Sequence, residues 1–334
     1  MRVFLATSKL GEIEFLLSVG VKSILITPHV TLRGIWGALL ENRAPKARAL
    51  EKVYDTLSKV PYLVMDSGAH GLLVSHGIRA EAAGQQHSNR KFIKRIDPYH
   101  WFETYLRVVE LFKDILHAFV ELDIGQLVGD EVVARWRERL VAVGGQKKVI
   151  VVTHNYMGDI PTVVEKWIKD GFTYIGVGDQ PPGSVLADVF KVAPPPKIRV
   201  HGFAYVNFQS LLAFPFYSVD SASWNWMSIY GSLKVFLGKG FATRRLKKRA
   251  SIKDVAGEMF NKAKVSPRYP LRLARNTLLD KDFKKVVAEN AKYYISLERF
   301  LTHYWAKKGV IFPHEAENDT YSIQMGLCGR NCAK

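Results

Sequence analysis

Short apolar runs alternate along this chain with stretches whose apolar residues return every three or four positions. Residues 2–7 form such a run, and Leu10, Ile13, Leu16 and Leu17 share one helical face, which predicts a strand and then a helix over 8–20. Residues 21–27 repeat the run and are ended by Pro28, and 43–59 carry Leu50, Val53, Tyr54 and Leu57 on one face. A third strand is predicted over 62–66, closed by Ser67-Gly68. Residues 69–97, rich in Gly, Gln, His, Arg and Lys, then read as a loop too long for an ordinary strand-to-helix turn.

Pro98 is placed to start a helix over 99–117, with Phe102, Tyr105, Leu106, Val109 and Phe112 facing inward. Strand four covers 118–123, and a helix over 131–143 is stopped by Gly144-Gly145. Strand five covers 149–154, a helix 160–170 stops at Gly171, and strand six covers 172–178. A short helix over 183–190, a stiff connector at 194–196, strand seven at 198–203, a brief helix around Leu211 and Leu212, and strand eight at 216–220 complete the series.

Strands that read as continuous apolar runs between helices predict a parallel sheet buried on both faces. Eight such units predict closure into a (β/α)8 TIM barrel. A doubly wound open sheet is the rival, but no Gly-rich phosphate fingerprint follows the first strand. Beyond Trp226 the character changes, which divides the chain into a barrel over 1–232 and a basic helical extension over 233–334, with amphipathic helical segments at 252–264 and 280–305.

Charge adds a partner to this picture. Lys plus Arg number 48 against 31 Asp plus Glu, a formal net charge of +17, which suits a polyanion, although a charge-rich solvated surface has the same composition. Two clusters stand out: Arg79, Arg90, Lys91, Lys94 and Arg95 in the long loop, and Arg244, Arg245, Lys247, Lys248 and Arg249 in the extension. Both suit phosphate contacts and equally suit a solvated face. The two cysteines, Cys328 and Cys332, exclude a disulfide framework and point to a reducing compartment. No apolar run reaches the ~20 residues needed to span a bilayer and no signal peptide is visible, so a cytoplasmic protein without a membrane partner is expected.

In a barrel the chemistry sits at the strands' C-terminal ends. Those ends hold Asp66, Asp123, His154, Gly176, Gly178, His201 and Asp220. Any one acid there also reads as a helix N-cap or an ion-pair partner, whereas together they argue for a site. Such a rim could hold a divalent metal for hydrolysis, although no tight His-x-His pair follows strand one. Paired carboxylates could instead cleave a glycosidic bond in two steps. The residues alone leave both open, beside a catalytically silent DNA-binding barrel.

The ordered series Met65-Asp66-Ser67-Gly68, Glu121-Leu122-Asp123, Thr153-His154, Tyr174-Ile175-Gly176-Val177-Gly178, His201-Gly202-Phe203 and Tyr217-Ser218-Val219-Asp220 resembles the barrel of the tRNA-guanine transglycosylase superfamily over about residues 62–224. The resemblance implies Asp220 as nucleophile and Asp66 as acid/base. It implies Asp123, His154, Gly176, Gly178, Ser67, Gly68 and His201 as the lining of a base pocket. The chain departs from that family in Asp66-Ser-Gly-Ala-His-Gly71, in His154 where a Gln is usual, and in lacking its zinc ligands, which Cys328, Cys332 and His314 do not replace. The compact form resembles the phage and bacterial branch that inserts 7-deazaguanine bases into DNA. That implies a polynucleotide partner, DNA or alternatively tRNA, with no metal and no cofactor.

Overall fold

The computed structural model describes residues 1–78, 96–229, 232–236, 241–245 and 280–312. Eight strands, β1 (Arg2–Thr7), β2 (Ser23–Ile26), β3 (Tyr62–Met65), β4 (Ala118–Val120), β5 (Val149–Thr153), β6 (Tyr174–Val177), β7 (Arg199–Gly202) and β8 (Ser218–Ser221), close in sequence order into a barrel. All neighbours pair in parallel, and closure is made by β1 on β8, with Val3 opposite Val219 and Phe4 opposite Asp220. The strands are buried almost throughout, as expected of a sheet covered on both faces. The expected (β/α)8 barrel is the fold.

Helices α1 (Leu10–Ser18), α2 (Pro28–Thr31), α3 (Arg33–Leu40), α4 (Ala47–Leu57), α5 (Ala69–Ser75), α6 (Pro98–Phe112), α7 (Gly125–Val128), α8 (Asp130–Gly144), α9 (Ile160–Lys169), α10 (Gly183–Val192), α11 (Phe208–Ala213) and α12 (Ser223–Ile229) follow the strands. Their starts have local causes. Asp97 accepts the N–H groups of Tyr99 and His100 ahead of Pro98, and Asp159 accepts that of Thr162 at the head of α9. Five helices differ from the sequence expectation, among them the short α7 and α12 after β4 and β8. Pro28 opens α2 rather than simply ending a strand, α3 follows it, and α5 occupies the start of what reads as a long loop.

The extension is not purely helical. Strands β9 (Ser232–Phe236) and β10 (Phe241–Arg245) pair antiparallel, and a 28-residue helix, α13 (Asp280–Lys307), lies against the barrel. Val3 N–H donates to Glu298 at 2.7 Å, Trp305 donates to the Leu211 carbonyl at 3.0 Å, and Asn290 ties the Lys234 N–H to the Ser228 hydroxyl. The chain after α13 then turns Phe312, 2% exposed, into the barrel interior, with its ring 5.0 Å from that of Tyr217. Since Tyr217 precedes β8, Phe312 seals the N-terminal end of the barrel, and the opposite end is left for chemistry. Among the described residues no helix is long and apolar enough to cross a membrane.

Candidate active site

Strand β3 stops at Met65, so Asp66 emerges on the first residue of the β3–α5 turn and its N–H still joins the ladder through the Ile26 carbonyl, 2.8 Å. The turn is tight because Gly68 takes φ +79°, where a Cβ would also fall 2.7 Å from His29 Nδ1. Ser67 is buried and points its hydroxyl at the Ala69 N–H at 3.4 Å, while its carbonyl accepts Trp101 Nε1–H at 3.1 Å. Tyr105 of α6 donates to the carbonyls of Val120 (2.7 Å) and Met65 (3.3 Å) and so fixes the ends of β4 and β3 together. Burial among these groups, reinforced by the neighbouring carboxylates of Asp123 and Asp220, pushes the Asp66 carboxyl up to about 7, against a bond from Thr27 Oγ1 at 3.2 Å.

Asp123 lies three residues past β4 and is bonded to His154 Nε2. The other ring nitrogen of His154 meets Asp179 Oδ2 at 3.0 Å, and the same oxygen accepts the Asn155 N–H at 3.2 Å. Burial acts to lower the His154 pKa, but the bonds from Asp123 and Asp179 outweigh it and hold the imidazole up at about 9. His154 is therefore a buried imidazolium clamped between two carboxylates, with its side chain 4% exposed. Gly178 makes room for it, because a Cβ there would sit 2.7 Å from His154 Nδ1. Gly176 makes the same kind of room for the Phe203 ring, at 2.5 Å.

Asp220 stands within β8 and accepts the Ala204 N–H at 2.8 Å. His201 is wholly buried: its Nδ1 bonds Ser218 Oγ at 2.8 Å, Ser218 bonds the Tyr174 hydroxyl at 2.7 Å, and its Nε2 faces Asp220 Oδ1 at 3.4 Å. The structure thus brings Asp66, Asp123 and Asp220 to one mouth, with His154 and His201 behind two of them. Ser67, Gly68, Gly176 and Gly178 are placed as support. Arg79, Arg90, Lys91, Lys94, Arg95, Lys247, Lys248, Arg249, His314, Cys328 and Cys332 lie outside the described residues, and Arg244 and Arg245 are strand residues of β10.

Sequence reasoning missed Asp179, Tyr105 and His29. His29 packs its ring 4.8 Å from Trp101 and 6.0 Å from Trp36, and burial, helped by Arg33, lowers its pKa to about 4. It is a neutral imidazole beside the Asp66 turn. Asp179 could have been suspected from Gly178-Asp179-Gln180-Pro181-Pro182 directly after strand six, a turn composition carrying an acid. Among the described residues no three His, Cys, Asp or Glu side chains are grouped so as to hold a metal ion.

No family model matches the chain, and no curated protein matches it. Solved structures do. A protein assigned as a fructose-1,6-biphosphate aldolase from Coccidioides immitis is 9% identical, with 90% of this chain and 89% of that one covered and a TM-score of 0.44. Oxaloacetate acetylhydrolase is 11% identical over 69% of this chain and 79% of that one, TM-score 0.41. A 2,3-dimethylmalate lyase, described as a PEP mutase/isocitrate lyase superfamily member, is 10% identical over 90% and 93%, TM-score 0.35. At such identities these likenesses transfer no reaction to this chain.

They nevertheless correct the reading drawn from motif order. These barrels are lyase-, hydrolase- and aldolase-type enzymes and not guanine transglycosylases, so the transglycosylase assignment is withdrawn with its pentosyl transfer and its 7-deazaguanine co-substrate. The physical reason for the error is that a closed barrel with an acidic mouth puts acids after its strands in a fixed order whatever the reaction.

Proposed function

We propose that this protein is a barrel enzyme of the proton-transfer type, in which Asp66 takes a proton from one atom of the substrate and returns it to another. Eliminations and isomerisations need that pair of transfers. The observation that carries the reading is the convergence of Asp66, Asp123 and Asp220 at the strands' C-terminal ends, close enough that the other two carboxylates help hold Asp66 near neutrality. A carboxyl divided between its two forms at pH 7 acts as base in one half of a cycle and as acid in the other. Asp220, fixed by the Ala204 N–H, faces the reacting group from β8.

The same charges choose the substrate. Among the described residues the mouth presents Asp66, Asp123, Asp179 and Asp220, with the imidazolium of His154 between two of them. An anionic reacting group would meet like charge at close range, whereas hydroxyl or amide N–H groups find acceptors. The substrate's reacting part is therefore neutral and rich in hydrogen-bond donors.

The test is conversion of compound pools followed by mass spectrometry, with wild type against Asp66→Asn. One pool holds neutral hydroxy and amide compounds, the other carboxylates and phosphates. Conversion is expected in the neutral pool, with a pH dependence centred near 7 and a loss of at least ~100-fold in the variant. Conversion confined to the anionic pool, or a fully active Asp66→Asn protein, would overturn the reading.

A further inference from the structure

Non-glycine residues with positive φ are uncommon, and a run of two is more so. The four that occur among the described residues are Asn42, Asp179, Gln180 and Ala204. Three of them surround the mouth. Asp179 (φ 55°) and Gln180 (φ 44°) follow β6, and Ala204 (φ 54°) follows β7. They are joined, because Gln180 Nε2–H donates to the Ala204 carbonyl at 3.1 Å. From this junction one hydrogen-bond path runs to each side of the mouth: from Asp179 through His154 to Asp123, and from Ala204 N–H to Asp220.

A conformation that side chains avoid persists only where the surroundings over-determine it. Here Asp179 and Gln180 are exposed residues of the β6–α10 loop, and their hydrogen bonds to His154, Asn155 and Ala204 run to the mouth and its rim. We infer that Asp179 and Gln180 are positioning residues that set Asp123 through His154 and Asp220 through Ala204. The inference rests on the proton-transfer reading only in saying what the two acids are positioned for. Asp179 supplies one of the two carboxylates that face His154, Asp123 the other, with the Tyr156 ring stacked on it at 5.3 Å.

The geometry makes each half separately testable with side chains that tolerate the left-handed region. Asp179→Asn keeps the backbone preference and one acceptor oxygen but removes a charge. Gln180→Asn suits the left-handed region better than Gln does but is one methylene too short to reach the Ala204 carbonyl. In protein labelled with [13C]histidine and [15N]alanine, the His154 titration midpoint, assigned with a His154→Gln sample, is expected near 9 in the wild type. It should fall by about one pH unit or more in Asp179→Asn, because one of two charge partners is gone.

The Ala204 amide proton, deshielded by the Asp220 carboxylate, is expected to move toward its random-coil position in Gln180→Asn. The melting temperatures of both variants should stay within about 2 °C of wild type, as exposed loop positions with compatible backbones do. An unmoved His154 midpoint, an unmoved Ala204 resonance, or a large loss of melting temperature in either variant would overturn the inference and make the pair ordinary structural residues. All three read-outs use the free protein. Failure of the proton-transfer reading shows only in the conversion assay, so the two failures are distinguishable.

Discussion

Glu121 has its side chain 1% exposed two residues before Asp123, and both of its oxygens are engaged: Oε2 by Arg137 Nε at 2.6 Å and Oε1 by the Val152 N–H at 2.6 Å. Burial raises its pKa, and Arg137 opposes that rise. Replacing Arg137 with Met keeps a side chain of similar length against Trp167 and Phe172, whose rings lie 5.6 and 5.9 Å from the guanidinium, and leaves a buried carboxylate without its cation. Breaking a buried pair from one side costs about 3–5 kcal/mol. The cost is bounded by protonation, since an unpaired Glu121 can take up a proton instead of staying charged.

The pH dependence has a definite sign. A carboxyl raised in the folded state loses stability as pH climbs from its unfolded value, near 4.5, through its folded value, and Arg137→Met raises that folded value further. The deficit of the variant should therefore grow with pH, by up to about 1.4 kcal/mol per pH unit within that window. Urea unfolding at about pH 5 and pH 7.5 measures it, with about 3 kcal/mol or more expected at the higher pH and clearly less at the lower. Glu121→Gln combined with Arg137→Met should recover much of the loss. A deficit below about 1 kcal/mol at pH 7.5, or one equal at both pH values, would refute the argument that an uncompensated charge is what the arginine prevents.

Asp66→Asn should resist urea better than wild type at about pH 8 and lose that advantage by about pH 4: the folded carboxyl titrates at about 7 and the unfolded one near 4, so ionisation destabilises the wild type across that interval. Phe312→Ala empties the plug at the N-terminal end of the barrel and should cost about 3–5 kcal/mol in the same assay, and a cost under 1 kcal/mol would mean that Phe312 does not close the barrel. Gly178→Ala drives a methyl to within 2.7 Å of His154 Nδ1, so about 1–3 kcal/mol of stability should be lost and the His154 titration midpoint should fall; an unmoved midpoint would show that the ring does not depend on that space.

The barrel was legible because its physics is one-dimensional. A parallel strand buried on both faces must be apolar at consecutive positions, and residues 62–65, 149–153 and 174–177 announce themselves without reference to anything distant. An acid at or near the end of such a run is visible for the same reason, which is how Asp66, Asp123 and Asp220 could be picked out. What stayed hidden depends on contacts between remote segments. Nothing in Pro28-His29-Val30 says that His29 will pack on Trp101, and nothing near Phe312 says that it will enter a barrel begun by β1. Asp179 and Gln180 owe their roles to a left-handed backbone and to bonds with His154 and Ala204 from other strand ends, neither of which is written in the local sequence. The helix α2 is a single turn too short to show a period, and in α3 Gly34 and Gly37 dilute the periodicity that would reveal it. The family resemblance failed at a different link, in that strand-end order reports the fold and says little of the reaction.

The protein carries +17 overall, yet its mouth is acidic, and these facts fit together only if distance is taken into account. At physiological ionic strength exposed charges are screened beyond about 8 Å, so the surface lysines and arginines contribute little at the depth of Asp66. There burial acts first and the carboxylates of Asp123 and Asp220 reinforce it, and together they keep Asp66 close to half protonated at neutral pH. Outside the mouth the sign reverses, and the general excess of cations draws anions to the surface. The Asp179–His154–Asp123 bridge matters to that division because it keeps a positive charge at the mouth up to about pH 9, so that Asp123 is held in place without adding its full negative charge to the field that Asp66 must titrate against.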